Sequence, residues 1–122
     1  MTRALGYVRV SSEEQAREGV PLDAQAERIT AYAKALGWKL VGIVRDEGRS
    51  AANLKRSGIR GILADVARPK ARAWDALVVV KLDRLTRSVR DLCTLVESFE
   101  RGAVHFVSIG EVTLAQPLAG GR

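Results

Sequence analysis

Cysteine, histidine and proline are nearly missing from this chain, which holds one cysteine, one histidine and three prolines in 122 residues. The lone Cys93 excludes an internal disulfide and fits a reducing, cytoplasmic setting. The lone His105 leaves a Ser-His-Asp hydrolase a single base to draw on. It lies in an apolar stretch, which suits a packing role. No His, Cys or carboxylate cluster has metal-ligand spacing, so no metal is expected, and magnesium on Asp46 or Asp83 lacks a supporting pattern. The glycines form neither a GxGxxG nor a Walker A pattern, so no nucleotide cofactor is expected either. No apolar run approaches the roughly 18 residues of a membrane span. The N-terminus lacks the apolar stretch of a secretory signal. A membrane is therefore not among the expected partners.

What the chain has is positive charge. The formal net charge is +6, and fifteen of the twenty basic residues are arginine. Arginine's planar fork grips phosphate oxygens in pairs, whereas lysine acts as a point charge. Arginine-rich composition also arises from a GC-rich genome. Composition alone thus permits an anionic partner such as nucleic acid without selecting it.

Hydrophobic patterning supplies the fold. Residues 5–10 (LGYVRV) read as a first strand, and Leu22, Ala26, Ile29, Ala33 and Leu36 recur at helical spacing before Gly37, a C-cap candidate. Residues 40–44 (LVGIV) read as a second strand, followed by a polar, turn-rich stretch at 46–53. Ile59, Ile62, Leu63 and Val66 mark a helix that stops before Pro69. Residues 76–80 (ALVVV) are apolar on both faces, as a buried parallel strand requires. Ser88 and Asp91 have capping-box spacing ahead of a helix whose expected apolar face is Val89, Leu92, Val96 and Phe99. Gly102 ends that helix, and residues 104–109 (VHFVSI) form a fourth strand. Strand and helix alternate throughout. The expected fold class is α/β: one domain over residues 1–110, with a parallel-rich sheet of about four strands and helices on both faces. Residues 111–122 read as a tail.

In such sheets ligands bind beyond the carboxyl ends of the strands. There the first strand delivers Arg9 and Ser11, the second Arg45 and Asp46, and the third the run from Lys81 to Arg87. Arg9 and Ser11 are two apart and leave the same face of a strand. Arg84 and Arg87 share a face in a helix or turn. Phosphoryl transfer asks for positioning and charge stabilisation, which clustered arginines beside a hydroxyl supply. Taken singly, each residue has a plainer reading. Ser11 suits a cap, Asp83 with Arg84 or Arg87 a surface ion pair, Arg56 a solvated loop residue, and Trp38 and Trp74 packing.

Two blocks carry a family resemblance. Gly6-Tyr7-Val8-Arg9-Val10-Ser11-Ser12-Glu13-Glu14-Gln15 resembles the signature of the serine site-specific recombinases: resolvases, invertases and large serine integrases. Lys81-Leu82-Asp83-Arg84-Leu85-Thr86-Arg87-Ser88 is similar to a second family segment, and Asn53 to Arg56 to the family's mobile loop. The segment from Pro21 to Gln25 resembles the large-recombinase branch. The resemblance implies that Ser11 is the nucleophile on a DNA phosphate, giving a 5′-phosphoserine link and a free 3′-hydroxyl. It implies that Arg9, Arg84, Arg87 and Arg56 surround that phosphate, and that Asp83 and Gln15 orient them. It implies double-stranded DNA as substrate, dimers and tetramers as the working assembly, and no cofactor.

Two departures stand out. Ser57 occupies a place where the family often has proline, and the chain stops at Arg122, before the family's long helix and DNA-binding region. A fragment of this length is expected to bind DNA weakly, without sequence preference, and not to recombine it. Two other readings stay open: a non-catalytic interaction module that keeps the fold, and a nucleotide- or flavin-binding domain on a similar sheet.

Overall fold

A computed structural model of the chain describes residues 2–10, 22–47, 57–86 and 88–111. In chain order these form β1 (Arg3–Val10), α1 (Leu22–Ala35), β2 (Lys39–Glu47), α2 (Ser57–Val66) and β3 (Ala76–Val79). Then come α3 (Leu82–Leu85), α4 (Val89–Arg101), β4 (His105–Ser108) and a 3-10 turn (Ile109–Glu111). The strands lie in the order β2-β1-β3-β4, and every neighbouring pair runs parallel. The fold class expected from the alternating pattern is the one observed.

Alternation along β1 divides the core in two. Leu5 and Tyr7 face one side with Leu77 and Val79, under Ile59, Ile62 and Val66 of α2 and Leu95 and Phe99 of α4. Ala4 and Val8 face the other side with Val78, Val80 and Val107, under Ile29 of α1. β3 is buried along its whole length because helices cover both of its faces, which is why its sequence is apolar without alternation.

Several element edges differ from expectation. β1 begins two residues earlier than the apolar run suggests, because Lys39 N–H bonds the Thr2 carbonyl and Arg3 enters register with Lys39. β2 runs on through Asp46 and Glu47, paired with Arg9 and Val10, where a polar turn was expected. β4 is shorter, and Ile109 turns into the 3-10 segment. Leu36 lies beyond α1 and is 47% exposed instead of completing the apolar face. Gly37 does end that turn, with φ of 71°, a left-handed conformation that costs glycine little.

The larger correction concerns α4. Ser88 caps it as expected, accepting the Asp91 N–H at 3.2 Å. Its buried stripe, however, is Leu95 and Phe99 with Leu92 packed beside them, while Val89 is 77% exposed and Val96 also lies outside. Both stripes obey helical spacing. The two aromatic and leucine side chains offer more apolar area than two valines, and they win the core.

Candidate active site at the carboxyl ends of the strands

The odd-numbered face of β1 that buries Leu5 and Tyr7 carries Arg9 next, at the end of the strand. Arg9 is 1% exposed. A buried guanidinium needs acceptors for its fixed fork of donors. Two come from the short helix that follows β3: Arg9 Nε donates to the Arg84 carbonyl at 3.1 Å, and Nη2 donates to the Asp83 carbonyl at 3.0 Å. Arg84 answers in kind. Its Nη1 donates to the Arg9 carbonyl at 3.1 Å, and its Nε donates to Asp83 Oδ1 at 3.2 Å. Each arginine thus binds the backbone of the other. The end of β1 and the start of the segment after β3 are locked together across more than seventy residues of sequence.

The corner is held from below. Leu85 is fully buried in the core under α2 and α4, and anchors α3. Thr86 N–H closes α3 on the Leu82 carbonyl at 3.0 Å, and Thr86 Oγ1 accepts the Ser88 N–H at 3.1 Å. The chain therefore turns from α3 directly into the cap of α4.

A residue that sequence reasoning did not assign to the site completes the lock. Gln25, fully buried on α1, donates from Nε2 to the Arg9 carbonyl at 3.0 Å and accepts the Arg9 N–H on Oε1 at 3.3 Å. Its amide mimics a neighbouring strand. A signal existed: Gln25 stands four residues before Ile29, on the side that apolar spacing marks as buried, and a buried amide demands partners.

The neighbouring strand end holds a second buried network. Asp46 accepts the Tyr7 hydroxyl at 2.7 Å, the Gly58 N–H at 3.0 Å and the Ile59 N–H at 3.3 Å. Arg45, on the other face of β2, reaches exposed Asp23 at 3.5 Å, a pairing of small energetic value. Lys81, exposed, adds another cation at the mouth of β3.

Of the residues expected in the site, Arg9, Asp83 and Arg84 are brought together as described. Ser11, Gln15, Arg56 and Arg87 lie outside the described residues. His105 is exposed and edges against Trp38, with ring centroids 5.5 Å apart, at the opposite rim of the sheet. Trp74 is buried and donates Nε1–H to Asp65 at 3.1 Å. Both tryptophans are packing residues. Among the described residues no group of three or more His, Cys, Asp or Glu could hold a metal ion, and no helix is long and apolar enough to cross a membrane.

Comparison with known proteins gives one consistent picture. A family described as "Resolvase, N terminal domain" matches residues 4–120. The chain is 36% identical over 107 residues to a probable DNA-invertase of Sinorhizobium fredii, covering 88% of this chain and 30% of that protein. It is 34% identical over 107 residues to the transposon Tn552 resolvase of Staphylococcus aureus, covering 88% of this chain and 46% of that one. Among solved structures, the N-terminal catalytic domain of TP901-1 integrase superposes with a TM-score of 0.82 at 39% identity, covering 90% of this chain and 79% of that one. The chain spans less than half the length of the invertase and the resolvase.

Proposed function

The chain belongs to the resolvase family of serine recombinases, matching its N-terminal catalytic domain, and on that premise we propose that it cleaves and rejoins DNA through Ser11. One observation carries this reading: the reciprocal Arg9–Arg84 lock, which sets two guanidinium groups at the rim from which the chain continues to Ser11. Ser11 Oγ attacks the scissile phosphorus. A phosphorus–oxygen bond forms to serine, and the bond to the 3′-oxygen breaks. The proton lost by the serine is balanced by the one gained at the 3′-hydroxyl. The phosphate stays esterified to the 5′ end and now to the protein, so the reverse attack by a 3′-hydroxyl rejoins DNA without an energy source.

Negative charge grows on the phosphate oxygens during this exchange, and fixed cations stabilise it most where they need no reorganisation. Arg84 and Arg87, with Arg56, are the cations assigned to the phosphate. Arg9, enclosed by carbonyls, holds the end of β1 in place for attack. Asp83 orients Arg84 through the 3.2 Å contact, and Gln15 is assigned an orienting role. Double-stranded DNA is the substrate and an assembly of several copies is the working form. The likeness to TP901-1 integrase favours the large serine recombinase branch.

The test is a DNA-linked adduct. The protein, carrying whatever residues its gene supplies after Arg122, is incubated with supercoiled DNA bearing the attachment sites of its own element. A covalent species is expected, and Ser11→Ala should abolish it while Ser12→Ala leaves it intact. The opposite pattern would move the nucleophile to Ser12.

A further inference from the structure

Asp46 is a buried carboxylate that the phosphate chemistry above does not use. Its oxygens collect donors from two other elements: the Tyr7 hydroxyl of β1, and the Gly58 and Ile59 N–H groups in the first turn of α2. Those N–H groups have no intrahelical acceptor and sit at the positive end of the helix dipole, so an anion there is favoured twice over. Such caps usually come from the residue just before the helix. Here the cap comes from the end of another strand, opposite Arg9 in the β1–β2 register.

The contact also specifies what it excludes. A Cβ at Gly58 would lie 2.7 Å from both Asp46 carboxylate oxygens. Any side chain there would lift the carboxylate off the helix. Tyr7 stands two residues before Arg9 on the same face of β1, so one carboxylate ties the start of α2 to the strand that leads to the nucleophile.

We propose that Asp46, acting with Tyr7 and Gly58, is a positioning residue for strand cleavage: it fixes the first turn of α2 against β1 and thereby places Arg56, the residue immediately before that helix, at the phosphate. The inference rests on the reading of Arg56 as a phosphate ligand.

Two measurements test it. In this chain, amide hydrogen exchange at Gly58 and Ile59 is compared between the parent, Asp46→Asn and Tyr7→Phe; both variants should exchange faster there, with β3 amides unchanged. In the adduct assay, each variant should slow covalent-species formation by about tenfold, the scale of one lost hydrogen bond to a charged group. Placed in an Arg56→Ala background, the same changes should slow it no further, because partners in one chain of action are non-additive. A merely structural Asp46 would give losses that multiply with Arg56→Ala, and that result overturns the proposal. Unchanged exchange at Gly58 and Ile59 in Asp46→Asn also overturns it, whatever the adduct assay shows. An adduct absent from the parent protein removes the functional reading and this inference together, and the exchange data tell the two failures apart.

Discussion

At the scale of single residues, the site is built from polar groups that must be satisfied inside the protein. Gln25 shows the demand most directly, since both ends of its amide are spent on the Arg9 backbone. Gln25→Leu keeps the volume and removes both bonds. The expected cost is about 1–3 kcal/mol, because buried backbone groups lose partners without regaining water; urea denaturation measures it. The same variant should slow adduct formation more than its stability loss explains, since the strand end before Ser11 loses its brace. Arg9 and Asp83 were legible from the sequence because they sit in motifs. The brace was not, because nothing local in a helix reports which strand it will lie on.

At the scale of elements, the sequence displayed strand and helix alternation clearly, and the parallel sheet followed from it. It displayed two apolar stripes on α4 without saying which one turns inward. Only packing against α2 and β4 decides, through Phe99 stacking on Phe106 with centroids 5.3 Å apart and Leu95 fully buried. Leu95→Ala should therefore cost about 2–5 kcal/mol of stability by opening a cavity. Val96→Ala, one residue away and exposed, should stay within roughly 0.5 kcal/mol. Thermal melts of the two variants compare them directly, and equal losses would return the helix to the stripe read from sequence. The extension of β2 through Glu47 was hidden for a related reason. A charged residue such as Asp46 reads as a turn until Tyr7 and the start of α2 are seen to partner it.

At the scale of the whole molecule, the two rims of the sheet serve different ends. At the amino rim, Arg3 grips Asp75 with Nε at 3.0 Å, Nη2 at 2.9 Å and its backbone N–H at 2.9 Å, tying the start of β1 to the start of β3. The guanidinium hydrogen bonds hold the Asp75 carboxyl at about 2, against an ordinary value of 3.8. A depressed carboxyl stabilises the fold above its unfolded value, and that stability is lost as pH falls through the folded one. Asp75→Asn should thus melt slightly lower than the parent near neutrality, the pair being partly exposed and screened. The gap should close as pH drops from about 4 toward 2; a gap that is constant with pH would show that the ion pair is not its source. At the carboxyl rim the arrangement has a different consequence. Arg9 and Arg84 each satisfy peptide groups of the other's segment, so these side chains are architecture before they are reagents. A descendant that had abandoned DNA cleavage would still be held to both by the need to fold. Among kindred sequences, retirement from catalysis would then show first as drift at Ser11, with the arginines left standing over an inert scaffold.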